Sequence, residues 1–274
     1  MYRAWRDDRR TLEWRSIAYC NNIGRMPAHI FAEMTWEELR DLDRRSAVAI
    51  VPVGAVEAHG PHLPVGTDVV IAEGMARACA EELEESGLTG LVLPSVCYTA
   101  APFAGNFAGT IGVKADIVTD LLIQIATSLR EQEISTLAIA NAHLDPAHLS
   151  SLRQAVKKAP EGTRIVFLDL SRRRVAALLS EEFQTGACHA GQFEGSIVRA
   201  ERPDLFRTDV AAKLPPNPSS LSSAIQEGHQ SFEDAGGPRA YFGWPAEATA
   251  EEGRATLITL GHLLAEAILD GEMH

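Results

Sequence analysis

The stretch AVAIVPVGAVEAHGPHLPVGTD, residues 47–68, joins an apolar run to a group of ionisable side chains. Its first part, AVAIVPV (47–53), has no polar alternation, which is typical of a parallel strand covered on both faces. Its remainder places a glutamate, two histidines and an aspartate among glycines and prolines. Because ligands bind beyond the carboxyl ends of strands in parallel α/β sheets, the stretch indicates both a fold class and the position of a site.

Three further apolar runs are typical of buried parallel strands. They are GLVLPSV (90–96), TLAIAN (136–141) and RIVFLDL (164–170), and segments of helical periodicity separate them. This alternation predicts a three-layer α/β/α domain with a mainly parallel sheet. We expect a single domain over residues 1–274, with residues 1–25 as a candidate N-terminal extension.

The helical segments have apolar residues at three- and four-residue spacing. This pattern covers residues 72–83 and 117–129, and Pro146 suits the first turn of a third helix, where its missing N–H has no partner anyway. A long amphipathic helix within residues 247–271 is expected to cover the sheet. Residues 212–223 are rich in proline and serine and predict a loop.

Composition excludes several classes of partner. The 274 residues are 46% hydrophobic and carry a net charge of −12, which indicates a globular protein and argues against nucleic-acid or anionic-membrane binding. Basic residues cluster only near the N-terminus, where interleaved acids favour a solvated face, and at Arg172, Arg173 and Arg174. No run of about 18 apolar residues and no signal-peptide pattern occurs, so we expect a cytoplasmic protein without a membrane span. The four cysteines show no C-x-x-C spacing, so we expect reduced thiols.

Histidines and carboxylates collect directly after the predicted strands, in three clusters that contain five of the nine histidines. The clusters are Glu57, His59, His62 and Asp68; His143, Asp145 and His148; and His189 with Glu194. Imidazole and carboxylate groups together bind Zn²⁺, Mn²⁺ or Fe²⁺, whereas structural zinc sites favour thiolates. In an extended segment the side chains of Glu57 and His59 point the same way. Asp68, further along the chain, can then lie beside them and bridge two metals. The clusters therefore predict a divalent-metal site.

Some nearby side chains have simpler interpretations. His62 and His148 exceed what a site needs, and we interpret them as supporting or helix-capping groups. Cys188 is interpreted as a buried thiol, because adjacent residues of an extended segment face opposite ways and Cys188 would point away from His189. The remaining histidines are interpreted as surface or core residues: His29, His229, His262 and His274.

At these clusters the sequence resembles the creatininase (creatinine amidohydrolase) family. VPVGAVEAHGPHLPVGTD (51–68) is similar to the family's E-x-H-G-x-H-L-P signature followed by T-D, and HAGQFEGS (189–196) is similar to its H-A-G-x-x-E-T-S. FAGTIGV (107–113), NAHLDP (141–146) and PAEATAEEGR (245–254) resemble further family motifs in the same order. The resemblance implies a creatininase-like fold and a metal-dependent hydrolase.

The resemblance also implies a set of metal ligands. Glu57, His59 and Asp68 match the first three, with Asp68 as the bridge between two divalent ions, which could be Zn, Mn or Fe. His143 matches the next histidine ligand. The last ligand is either Asp145 or Glu194, because family members differ at this point.

Two residues are implied in catalysis. Glu194 has the better motif match as a ligand, and Asp145 is kept as either a ligand or a proton-transfer group. His189 matches the family histidine that faces the substrate, where it would stabilise or protonate the tetrahedral intermediate and the leaving nitrogen.

The substrate is less constrained by the resemblance. NAHLDP (141–146) replaces the family's N-G-H-G-G-N, and no tryptophan lies between the second and third clusters, which argues against creatinine. We expect hydrolysis of a non-peptide C–N bond of a small molecule, of the cyclic-amide or formamide type. The alternatives are a peptidase or carbon-ring hydrolase of the same family, or a non-catalytic metal-binding subunit. The family further implies a homo-oligomer, often a hexamer.

Overall fold

The computed structural model describes residues 28–270. The candidate extension over residues 1–25 lies outside the described residues, as do Cys20 and His274. Within the described part, five strands form one parallel sheet: β1 (His29–Ile30), β2 (Ala47–Val53), β3 (Thr89–Val92), β4 (Thr136–Asn141) and β5 (Arg164–Phe167). Their order across the sheet is β1-β3-β2-β4-β5. The predicted parallel sheet is confirmed.

Two strands end earlier than the sequence predicts. β3 ends at Val92 and β5 ends at Phe167, whereas the apolar runs continue to residues 96 and 170. Pro94 has no N–H to donate to the ladder. Beyond β5, the Asp169 carboxylate accepts hydrogen bonds from the backbone N–H and the hydroxyl of Ser171 at 3.1 and 2.5 Å, which turns the chain.

Four long helices cover the two faces of the sheet. They are α2 (Thr67–Glu85), α3 (Ala115–Glu131), α4 (Pro146–Lys157) and α10 (Ala250–Asp270). Shorter helices are α1 (Trp36–Asp41), α5 (Arg173–Ala176), α6 (Glu181–Thr185), α7 (Gln192–Glu201), α8 (Thr208–Ala211) and α9 (Leu221–Gln226). The loop predicted over residues 212–223 therefore ends where α9 begins.

The core is divided into two apolar layers by the sheet. Val48 and Ile50 of β2 pack in one cluster with side chains of α2 and α10. Ala49 and Val51 point to the opposite face and pack with side chains of α3 and α4. Strand residues alternate between faces, so this arrangement gives the three-layer α/β/α architecture that the sequence predicts.

The order of the strands creates a switch point at the centre of the sheet. The chain passes from β2 to β3 on one side and then crosses to β4 on the other side of β2. Parallel α/β proteins bind ligands at such a point, beyond the carboxyl ends of the central strands.

Two sequence-based expectations concern the whole chain. Among residues 28–270, no helix is both long enough and apolar enough to cross a bilayer. Cys79, Cys97 and Cys188 are free thiols, as expected for a chain without disulfides among its described cysteines.

Candidate metal centre

The five predicted ligands lie together at the switch point. Glu57 and His59 follow β2, Asp68 lies in the first turn of α2, His143 follows β4, and Glu194 lies in the first turn of α7. Each residue is buried, with 1–5% of its surface exposed. The fold thus gathers residues that are far apart in sequence into one small volume.

Gly54 lets α2 begin directly against the end of β2. A Cβ atom at Gly54 would lie 2.6 Å from the Val69 nitrogen and 2.7 Å from the Asp68 carbonyl carbon, closer than real Cβ atoms approach. The missing side chain therefore allows Asp68 to sit beside the residues that follow β2.

Asp68 lies between two imidazole and carboxylate pairs. Its Oδ1 is 3.1 Å from His59 Nε2, which is 3.5 Å from Glu194 Oε2. Its Oδ2 is 3.1 Å from His143 Nδ1, which is 3.3 Å from Glu57 Oε1. Two groups of three potential ligand atoms result, and Asp68 belongs to both.

The backbone fixes which nitrogen of each imidazole faces this centre. His59 Nδ1 lies 3.1 Å from the Glu57 carbonyl oxygen, and His143 Nε2 lies 2.9 Å from the Ala100 carbonyl oxygen. A carbonyl only accepts, so these nitrogens donate, and the neutral rings then turn their other nitrogen, a lone pair, toward the carboxylates. Lone pairs that face anions require a cation between them, and backbone-oriented histidines are the usual arrangement at metal sites.

Two carboxylate oxygens at the centre have no hydrogen-bond donor among the described residues. Glu57 Oε2 is buried and accepts no hydrogen bond from any described residue. Asp68 Oδ2 is also buried, and its approach to His143 lacks the geometry of a hydrogen bond. Buried carboxylate oxygens are normally satisfied. The donor set therefore fits divalent cations.

The electrostatics of the metal-free chain indicate the same need for positive charge. Burial opposes protonation of His59, but the carboxylates of Asp68, Glu194 and Glu57 outweigh it and raise its pKa to about 10. Burial raises the pKa of Glu194 to about 8. Protons therefore take the place of cations among these carboxylates when no metal is bound.

His189 lies beside the centre in a neutral form. Its Nε2 is 3.0 Å from the Ala58 carbonyl oxygen, and its Nδ1 is 4.0 Å from Glu57 Oε1. Its ring stacks on Phe232 with the centroids 4.1 Å apart. Burial, with the nearby His59, holds the pKa of His189 well below its usual range. The ring is therefore neutral at neutral pH, and one of its nitrogens carries a lone pair.

Asp145 lies two residues after His143 and belongs to none of the groups of three potential ligands in the described residues. It caps α4, where its Oδ1 accepts from the Ala147 N–H at 2.8 Å, and its Oδ2 accepts from the Phe103 N–H at 3.1 Å. The residue is 6% exposed and contributes to the wall of a cavity. Each oxygen keeps a further lone pair for a proton.

The extra histidines are buried supports. His148 Nε2 donates to Asn141 Oδ1 at 2.8 Å, and the Asn141 amide donates to the carbonyl oxygen of the neighbouring His143 at 2.7 Å. His62 packs edge-on against Phe206, and among the described residues no hydrogen bond satisfies its ring nitrogens. Neither histidine belongs to a group of three potential ligands in the described residues.

Cys188 differs in part from its sequence-based interpretation. It is only half-buried and lines the cavity. Burial, with the charges of Glu194 and Glu182, raises the pKa of the thiol to about 12. The group therefore stays protonated and is a poor nucleophile, as predicted.

Glu182 supports the site, and sequence reasoning missed it. Its carboxylate is 4% exposed and accepts backbone N–H groups from Gln192, Phe193 and Trp244 at 2.7, 2.6 and 2.7 Å. These bonds hold the first turn of α7, which carries Glu194. The pair of glutamates at residues 181 and 182 resembles an ordinary solvated helix start, so no local signal distinguishes Glu182.

A cavity of about 480 Å³ opens beside the centre. Its lining includes the acidic and imidazole groups described above, together with Arg153 and Arg173. Its size is within the range of small-molecule sites.

Known proteins are similar to this chain in sequence. The family model described as Creatininase, creatinine amidohydrolase, matches residues 32–268. A mycofactocin precursor peptide peptidase from Mycobacterium tuberculosis is 30% identical over 220 residues, which are 78% of this chain and 81% of the relative. A creatinine amidohydrolase from Pseudomonas putida is 23% identical over 197 residues, which are 67% of this chain and 76% of the relative.

The fold has relatives among solved structures as well. A structure described as Creatininase Mn superposes with a TM-score of 0.65 at 21% identity, covering 90% of this chain and 100% of that one. The family match extends over most of the described residues. The chain belongs to the creatininase family of hydrolases.

Proposed function

We propose that this chain is a metal-dependent amidohydrolase that cleaves a C–N bond of a small-molecule amide with an activated water. One observation carries the proposal: Asp68 lies between two imidazole and carboxylate pairs whose histidine lone pairs face inward. Membership of a hydrolase family supports the reaction class. The manganese form of a structural relative supports a divalent metal.

The proposed ligands divide into two sets that share one residue. Glu57, Asp68 and His143 would hold one ion, and His59, Asp68 and Glu194 would hold the other. Bound divalent ions, Zn, Mn or Fe, would supply Lewis acidity that lowers the pKa of water and polarises the substrate carbonyl. We favour Glu194 over Asp145 as the last ligand, because Glu194 lies 3.5 Å from His59 Nε2 while both Asp145 oxygens accept backbone N–H groups.

Proton transfer is assigned to His189 and Asp145. The Nε2–H of His189 is held by the Ala58 carbonyl, so its Nδ1 carries the lone pair that accepts a proton from water and returns it to the leaving nitrogen. Asp145 provides a second carboxylate on the cavity wall for the same proton.

The type of bond has two candidates. The first is the non-peptide C–N bond of a cyclic amide or formamide, as the sequence predicts. The second is a peptide bond, which is favoured by the mycobacterial peptidase relative and by a cavity of about 480 Å³, larger than a single small ring requires.

Product detection by mass spectrometry tests the proposal. Zinc- or manganese-loaded protein would be incubated with hydantoins, lactams, formamidopyrimidines and short peptides. We expect metal-dependent C–N cleavage in one of these classes and none after treatment with a chelator. Full metal loading with no hydrolysis of any class would favour a non-catalytic metal-binding subunit.

Assembly and location stay predictions. The family resemblance implies a homo-oligomer, often a hexamer, and the sequence predicts a cytoplasmic protein. Sedimentation of the purified protein tests the first prediction.

A further inference from the structure

We propose that the substrate carries a carboxylate and that Arg173 binds it, at the end of the cavity opposite the metal centre. This inference rests on the proposed amide hydrolysis, because it assumes that the scissile bond lies at the metal centre. It identifies the substrate as a linear amide with an apolar body and a free carboxylate.

The cavity lining contains both acidic and basic side chains. Glu57, Asp68 and Glu194 contribute to its lining, and so do Arg153 and Arg173. A substrate with one anionic end is attracted to the arginines, so its uncharged amide is directed to the metal centre. The charge asymmetry therefore fixes the orientation of such a substrate.

Helix α4 sets the distance between the two ends. Asp145, Leu149 and Arg153 are spaced by four residues and all line the cavity. At the α-helical rise, Asp145 and Arg153 are separated by about 12 Å along the helix axis. An extended chain covers that distance in about three to four residues. Because the charged side chains shorten the gap, a fragment of about two or three residues fits between them.

The apolar part of the cavity wall suits an apolar body. Phe103, Phe183 and Phe232 contribute to its wall, together with Leu149 and Leu221. Burying apolar substrate atoms against these side chains favours binding. In the proposed binding mode, the body of a linear substrate would run along these apolar residues.

Arg173 is the arginine available for a ligand. Arg153 is occupied, because its Nε and Nη2 donate to Asp169 Oδ2 at 3.0 and 2.7 Å and its Nη2 also donates to Ser171 Oγ at 3.2 Å. Ser171 lines the same cavity two residues before Arg173, which locates Arg173 at this end. Within residues 28–270, no ion pair or hydrogen bond involves the Arg173 guanidinium group.

The neighbouring arginines have other roles, which makes Arg173 distinct within the basic cluster. The Arg172 Nε lies 3.2 Å from Asp169 Oδ2. Arg174 lines a second cavity of about 230 Å³ beside β5, which shares Arg153 with the first. Arg174 therefore provides a matched control: it has the same side chain and the adjacent position but does not line the proposed site.

Calorimetric binding of two probes to the zinc-loaded full-length protein tests the inference without requiring turnover. The probes are N-acetyl-leucyl-leucine and its C-terminal amide, which differ only in the carboxylate. We expect the acid to bind about tenfold more tightly than the amide, because a guanidinium pairs with a carboxylate through charge-assisted hydrogen bonds. Arg173→Gln should remove this preference, Arg173→Lys should keep part of it, and Arg174→Gln should leave it unchanged.

Each other result overturns the inference. Equal binding of the two probes, or binding of neither, would show that no carboxylate site exists. A preference that persists in Arg173→Gln would locate the carboxylate at the metal centre. A preference lost equally in Arg174→Gln would indicate a general effect of charge. Mass spectrometry of the probes after titration reports hydrolysis separately, so failure of the proposed reaction is distinguishable from failure of the carboxylate site.

Discussion

The two ends of the cavity are built differently. The predicted metal ligands are 1–5% exposed, and backbone carbonyls orient the imidazoles of His59 and His143. Arg153 and Arg173 are exposed, and Arg173 lies on the four-residue helix α5. Reaction chemistry requires fixed groups, because small displacements of catalytic groups are costly. Recognition of a substrate end tolerates mobile side chains.

This difference predicts that substitutions at the buried end cost more than substitutions at the exposed end. It also predicts which quantity changes. The buried end should affect metal content and turnover, whereas the exposed end should affect the binding of substrate. The variants below test this contrast from the largest expected effect to the smallest.

The largest effect is expected for Asp68→Asn. The amide keeps the shape of the side chain but removes the negative charge and one of the two oxygens that would contact separate ions. We expect kcat/KM to fall about a thousandfold or more and bound metal to fall below one ion per chain, measured by elemental analysis. Asp204→Asn is the control, because Asp204 is a surface carboxylate paired with Arg202. Retention of metal and activity in Asp68→Asn would contradict the bridging role.

His189→Gln should lower turnover but spare metal binding. His189 is assigned to proton transfer, which typically contributes about a hundredfold or more to rate. We expect kcat to fall by about that factor with unchanged metal content. His229→Gln serves as the control, because His229 pairs with Asp234 away from the ligand groups. Loss of metal in His189→Gln would instead assign His189 as a ligand, since it forms a third potential group with Glu57 and His59.

Glu182→Gln should weaken the site indirectly. The two Glu182 oxygens accept three backbone N–H groups, and a glutamine would turn an NH₂ group toward at least one of them. We expect metal affinity to fall about tenfold, measured by competition with a chelator, because groups that orient ligands contribute that much. Glu181→Gln on the same helix is exposed and should leave affinity unchanged. Equal effects of the two substitutions on metal affinity would contradict a positioning role for Glu182.

The smallest expected effect is a dependence of stability on pH in the metal-free protein. The folded-state pKa of His59 is raised from 6.5 to about 10, and that of Glu194 is raised from 4.5 to about 8. The folded chain therefore binds more protons than the unfolded chain, and its stability falls as pH rises through these windows. We expect the chelator-treated protein to melt a few degrees lower at about pH 9 than at about pH 6.

Metal binding should remove much of this pH dependence, because cations displace the same protons. Melting curves of the loaded protein at both pH values provide the comparison. If the melting temperature depended equally on pH with and without metal, the buried ligands would not be the source of the pH dependence.

The predicted metal ligands could be found from the sequence, because the pattern that indicates them is local. The ends of apolar runs locate the switch point, and the bounds of β2 and β4 are as predicted. Glu57, His59 and His143 follow those strands directly, so their position is a consequence of strand order. Asp68 required one further inference, that α2 begins against β2, which Gly54 permits.

The supporting and recognition residues could not be predicted in the same way. Glu182 acts through backbone groups of residues up to 62 positions away, and that proximity is created only by the fold. Arg173 is one of three consecutive arginines, which composition cannot distinguish. The early ends of β3 and β5 depend on Pro94 and Asp169, whose local effects outweigh the apolar pattern.

Anomalous diffraction from crystals grown with zinc or manganese tests the central claim most directly. We expect two metal peaks on opposite sides of the Asp68 carboxylate. Glu57 and His143 should contact one peak, and His59 and Glu194 should contact the other. A single peak, or two peaks of which neither contacts Asp68, would contradict this account.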